Sequence, residues 1–289
     1  MGEAKRRRAE IERLKALGPQ DAAAWRQEKE DEIVLQEGIN PKAATADPSA
    51  IIAMARRLHG KFEQAKAAQN VDDAVRYLYQ KIEATIGAFQ DVRIACGAGC
   101  SHCCVVSVTV SAPEALHVGK LVAAMGADTI ARVRAAHDMT RQFDLAERDR
   151  HPHDCPMLQN HNCTIYESRP KACRQAASID AEICARSHRN LSNEGVPSPA
   201  VYAASRTAYA TALYAALAQA ALEDSAYEFN AALVRVLDTP DAEQRWLAGE
   251  DIFAGVPREP PPPRLYADRI AFVRHEAFGG QQPVILPAR

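Results

Sequence analysis

The chain has 289 residues, 47% of them hydrophobic and 25% charged, with a formal net charge of −2. That composition can bury a globular core, and the near-neutral balance excludes a global attraction to nucleic acid or to an anionic membrane. No run of eighteen apolar residues appears and the first thirty residues are charged throughout, so no membrane partner is expected and the expected location is cytoplasmic.

Residues 1–47 read as a charged N-terminal helical extension and linker. Two charged helical segments, MGEAKRRRAEIERLKALG and DAAAWRQEKEDEIVLQEG, are parted at Gly18-Pro19, and small residues follow Asn40-Pro41. The basic block from Lys5 to Arg8 could touch RNA or an acidic partner, but such a block on a terminal helix is usually a solvated face, so nucleic acid is not an expected partner. A helical domain is expected over 48–255. Apolar residues recur at helical spacing from Pro48 to Gln69 (Ile51, Ile52, Met54, Ala55, Leu58) and from Val71 to about Ala88 (Ala74, Val75, Leu78, Ile82), with a break at Asn70. The second helix delivers the chain to IACGAGCSHCCV, residues 94–105.

After that stretch, VVSVTVS predicts one extended segment of about six residues. Ser111, Pro113 and Glu114 form a capping-box start for a helix to about Met125. Another helix is expected from Asp128 to about Glu147. Beyond Pro197 come an alanine-rich helix from Ser198 to about Leu222, a second from Ser225 to Leu237 and a short third around Ala242 to Leu247. Residues 256–289 read as a linker with the polyproline run Pro260 to Pro263, then a peripheral tail. The expected fold class is mainly α: a helical domain wrapped around an irregular cysteine-rich core, with at most one or two short strands.

The chemistry lies in the cysteines. Cys96, Cys100, Cys103 and Cys104 fall within nine residues, and Cys155, Cys163, Cys173 and Cys184 follow some fifty residues later, so eight thiols split four and four. In a reducing compartment four thiols so close together have one common use, as thiolate ligands. Thiolate selects zinc, copper(I) or iron-sulfur centres over calcium and magnesium. Eight thiols could fill two four-ligand sites or overfill one. Neighbouring side chains point to opposite faces of an extended chain, so Cys103 and Cys104 could serve different ions, or one could bridge. His102, His151, His153 and His161 could each replace a thiolate, although a histidine beside such a cluster is more often an outer-shell or surface group. In YESRPKAC, Arg169 could offset the negative charge of four thiolates; alternatively Arg169 and Tyr166 simply pack the loop.

The ordered run Cys96-Gly-Ala-Gly-Cys100-Ser-His-Cys103-Cys104, Cys155-Pro156, Cys163-Thr-Ile-Tyr166 and Arg169-Pro170-Lys-Ala-Cys173-Arg174 resembles the YkgJ family of cysteine-cluster proteins, the CxxCxxCC type, over about residues 90–190. Three residues separate Cys96 from Cys100 where the family's label has two. The resemblance implies a zinc- or iron-binding protein of unassigned reaction, the metal being mononuclear or in an iron-sulfur cluster. Members similar to flagellin lysine N-methylase join such a cluster to methyl transfer from S-adenosylmethionine; no glycine-rich nucleotide loop is present here to carry that activity over. The alternative is a cluster-dependent enzyme, methyltransferase-like or a thiol redox catalyst using Cys103 and Cys104. A nucleic-acid or ribosome-associated adaptor working through the basic terminus is a third reading.

Overall fold

The structure is a computed structural model that describes residues 39–40, 45–88, 92–97, 99–148, 150–189, 194–260 and 264–279. The two charged helices and the basic block expected before residue 39 lie outside the described residues. Among the described residues the fold is mainly helical, as the periodicity predicts, and extended pieces are two or three residues long. No described helix is long and apolar enough to cross a membrane.

A short hairpin pairs β1 (Ile39–Asn40) with β2 (Thr45–Ala46). It leads into α1 (Pro48–Ala68), whose start is fixed by Asp47, accepting from the Ser49 N–H at 2.8 Å, and by Pro48 at the first position. Gln69 ends it in the left-handed region at φ 52. α2 (Asp72–Gly87) follows. Leu58, Phe62, Leu78 and Ile82, spaced along one face of each helix, are fully buried. They pack against α8 (Ala200–Gln219), where Ala208, Ala212 and Ala216 keep the contact face small and let the helices approach closely.

The extended segment is shorter than the alternation predicts. Cys103 and Cys104 lie in a 3-10 turn, His102–Val105, so pairing begins only at β3 (Thr109–Ser111). β3 pairs antiparallel with β6 (Ala226–Glu228), Val110 facing Tyr227, a partner more than a hundred residues away. α3 (Ala112–Met125) carries the capping box at Ser111 and Glu114. α4 (Ala127–Thr140) stops earlier than expected because Asp144 and Glu147 cap one another's N–H groups and start a separate turn, α5 (Leu145–Arg148). The helix expected from Ser225 begins later, as α9 (Phe229–Asp238), because Glu228 caps the Ala231 N–H and its own residue is spent in β6. Glu228 also pairs with Arg148, both ions fully buried. Gly119 in α3 faces α9 so closely that a Cβ there would sit 2.5 Å from Val236 Cγ1. α10 (Ala242–Leu247) falls where expected.

The tail is more engaged than its proline-rich approach suggests. α11 (Arg264–Phe278) lies against α1 and α8: Val273 is 1% exposed, Arg56 Nε donates to the Ala277 carbonyl at 3.0 Å, and Phe278 packs on His59.

Candidate metal centre

The two cysteine-bearing segments, separated in sequence by α3 to α5, meet directly. The Cys155 N–H donates to the Cys104 carbonyl at 2.7 Å, and the Ala95 N–H donates to the Ser178 carbonyl at 2.8 Å. Ser101, itself buried, bonds His161 Nδ1 through its hydroxyl at 3.2 Å and accepts Arg189 Nη2 at its carbonyl at 3.0 Å. Four contacts thus tie the first cysteine loop to the segment after residue 150. Gly99 at φ +82 supplies the turn between Cys96 and Cys100, whose N–H bonds the Gly97 carbonyl at 3.0 Å.

Short elements hold the second group. β4 (Leu158–Gln159) and β5 (Asn162–Cys163) make a tight hairpin with Cys163 opposite Leu158. A 3-10 turn, Tyr166–Ser168, leads through Pro170 into α6 (Lys171–Arg174), which carries Cys173. Glu114 fixes the start of α6: fully buried, its Oε1 accepts the Lys171 N–H at 2.6 Å and the Tyr79 hydroxyl at 3.3 Å, while Oε2 accepts from Ser111. The capping residue that starts α3 therefore also positions a cysteine helix. From the far side His117 bridges Asp72 at 2.8 Å and the Ser168 hydroxyl at 3.3 Å. α7 (Ala181–Cys184), capped by Asp180, and a π-helical turn at Ala185–Arg189 close the segment.

All eight cysteines are free thiols; Cys184 is buried and the other seven are half-buried. Burial pushes the Cys173 thiol well above its ordinary range, and neighbouring Cys155, Cys103 and Cys163 push it further. Burial likewise raises Cys155 to about 11, with Cys163, Asp154 and Cys103 adding to the effect. The hydrogen bond with Cys104 and then burial raise Cys103. Cys163 is raised by burial against the opposing charges of Arg169 and Arg174. Cys96 is raised by burial with contributions from Cys100, Cys103 and Cys184, while the Ser178 N–H, 3.4 Å from its sulfur, works the other way. Cys103 contributes to the shifts of Cys96, Cys155 and Cys173 alike, and its own thiol is hydrogen-bonded with Cys104.

Among the described residues no three His, Cys, Asp or Glu side chains are arranged to hold a metal ion as they stand. The donor set nonetheless suits a soft metal, since the groups that meet are thiols free of disulfide bonds, with backbone N–H groups beside the sulfurs. Of the histidines considered, His151 stacks on Phe143 at 4.1 Å, His153 bonds the His151 carbonyl and His161 bonds Ser101; His102 Nδ1 is buried with no hydrogen-bond partner. The clamp residues Glu114, His117, Ser101 and Ser178 carry no sequence signal for this role beyond the capping box at Glu114.

Two chain segments thus bring eight free, half-buried or buried thiols into one region of the fold, a donor set of the kind that suits a soft metal. Comparison with known families agrees: residues 95–192 match the CxxCxxCC family, described as "Putative zinc- or iron-chelating domain". That match covers about a third of the chain and includes all eight cysteines. Neither the curated proteins nor the solved structures contain a match.

Proposed function

We propose that this chain is a metal-binding protein, located in the cytoplasm, whose cysteines hold zinc or iron, the iron being mononuclear or in an iron-sulfur cluster. The observation that carries the reading is the meeting of the two cysteine segments at the Cys155-to-Cys104 backbone hydrogen bond. Cys96, Cys100, Cys103, Cys104, Cys155, Cys163, Cys173 and Cys184 are the proposed ligands. A bound metal ion would supply the positive charge that lets these buried thiols ionise, and each bond would release a proton. The redox alternative, with Cys103 and Cys104 as reactive thiols, needs a thiolate at Cys103, whose pKa the hydrogen bond with Cys104 and burial push up.

The test is metal analysis with an absorption spectrum on protein purified without oxygen. Bound zinc, or iron with visible absorption, is expected, together with slow alkylation of the thiols until a chelator strips the metal. Metal-free protein whose Cys103 and Cys104 alkylate at neutral pH as fast as a free thiol contradicts the reading.

A further inference from the structure

Arg148 and Glu228 are buried ions that the thiol chemistry does not use. Arg148 is 1% exposed and Glu228 2%, and the guanidinium Nη1 pairs with Oε1 of the carboxylate. Each ion also has a local tie. Arg148 Nε donates to the Phe143 carbonyl at 3.3 Å, and Glu228 Oε2 caps the Ala231 N–H at 2.6 Å. Arg148 Nη2 has no hydrogen-bond partner, so the carboxylate answers a charge that is shut away from water. The pair lies on a closed circuit. From Cys104 the chain runs through Val108, whose carbonyl accepts the Phe229 N–H at 2.9 Å, to Thr109, the register partner of Glu228. The ion pair crosses to Arg148, whose carbonyl accepts the His151 N–H at 3.0 Å. The chain then continues to Cys155, whose N–H returns to the Cys104 carbonyl at 2.7 Å.

We infer that the Arg148–Glu228 pair is a positioning device for the metal centre. It latches the stretch that leads to Cys155 onto the β3 to β6 pairing that follows Cys104, and so sets how the two cysteine segments meet. The inference rests on the metal-binding reading above. A single backbone hydrogen bond contributes little net by itself, so a second hold on the incoming chain decides how firmly the Cys155-to-Cys104 junction closes. The ion pair is that hold. A buried pair adds little stability over apolar side chains of the same volume, but an ion shut away from water tolerates no neighbour except its counterion, which fixes the register of the segments that carry the two. Glu228 is the fixed post: its carboxylate caps α9, and its own N–H donates to the Pro257 carbonyl at 2.8 Å. Arg148 is the part delivered to it, on the turn that precedes the second cysteine segment.

The experiment compares the full wild-type chain with the double variant Arg148→Met, Glu228→Gln. The two neutral side chains remove both charges at once and leave neither ion unpaired, so the metal-free variant is expected to keep its circular dichroism and melting temperature. Hydrogen exchange of the metal-free chains is read by mass spectrometry on peptides covering Cys155 and Phe229, and Zn²⁺ affinity by competition with a chromophoric chelator. The double variant is expected to exchange about tenfold faster at Cys155 while Phe229 keeps its wild-type rate. It is expected to bind Zn²⁺ about tenfold or more weakly. A pair that only stabilises the fold would leave the affinity of the folded chain alone. Unchanged exchange at Cys155, a rise shared equally with Phe229, or unchanged affinity overturns the inference. Should the double variant fail to fold, exchange of the wild type in low urea decides. Loss of protection at Cys155 and Phe229 in one common opening supports the latch, and Cys155 opening by itself while Phe229 stays protected overturns it. A wild-type chain that binds no Zn²⁺ overturns the metal-binding reading itself, whereas wild-type binding that the double variant retains overturns only this inference.

Discussion

Cys155 shows what burial does to a thiol in this fold. Its ordinary value of 9.0 is pushed up to about 11 because the folded chain surrounds the sulfur and supplies other thiols rather than a cation. The folded chain then keeps a proton that the unfolded chain releases, so the associated stability is complete below about pH 9 and is lost as the pH climbs toward 11. Two units correspond to about 2–3 kcal/mol for this group. The urea midpoint of metal-free protein is therefore expected to drop between pH 8 and pH 10.5, and Cys155→Ala is expected to flatten that decline. A midpoint constant over that range contradicts the burial account. Bound metal should remove the dependence, because the thiols are already ionised. The cysteines were legible as ligand candidates from count and spacing alone. What could not be read was which of them approach each other, since that depends on backbone contacts at Ser101 and Ser178, residues with no distinctive pattern.

α3 and α6 illustrate how one carboxylate serves two elements. The sequence discloses Glu114 as a helix cap through its position three residues after Ser111, but its bonds to the Lys171 N–H and the Tyr79 hydroxyl depend on a fold that brings residue 171 to residue 114. Glu114→Ala would leave buried donors from Ser111, Tyr79 and Lys171 without an acceptor, a cost of about 3 kcal/mol or more. The variant is expected to melt several degrees lower and to bind metal more weakly, because the turn that carries Cys173 loses its anchor. Thermal melting with and without bound zinc checks this, and an unchanged melting temperature contradicts it. The helices with strong 3.6-residue periodicity, α1, α2 and α8, lie within a few residues of where the sequence puts them. The misreadings have physical causes. Asp144 and Glu147 divide a helix that periodicity joins, and β3 to β6 pairing is too distant in sequence to be anticipated. The amphipathic signal of α11 is masked by charged residues on its exposed faces, so the docking of Val273 was not visible.

At the scale of the whole molecule, the helices form a frame and the cysteine segments lie against it. The main core, to which α1, α2 and α8 contribute, packs Cys155 and Cys163, and a smaller apolar group of Ala177, Val201 and Tyr202 packs Cys96. The halves of the centre are thus carried by one scaffold, and an ion joining them would favour the folded chain over the unfolded one. The central claim is that sulfurs from both halves bind the same centre. X-ray absorption at the edge of the bound metal, on the wild type and on Cys103→Ser and Cys173→Ser, tests it most directly. The account predicts a shell of about four sulfurs near 2.3 Å, from which each substitution removes sulfur. A shell of nitrogen and oxygen alone, or a sulfur shell that survives one of the two substitutions intact, contradicts it.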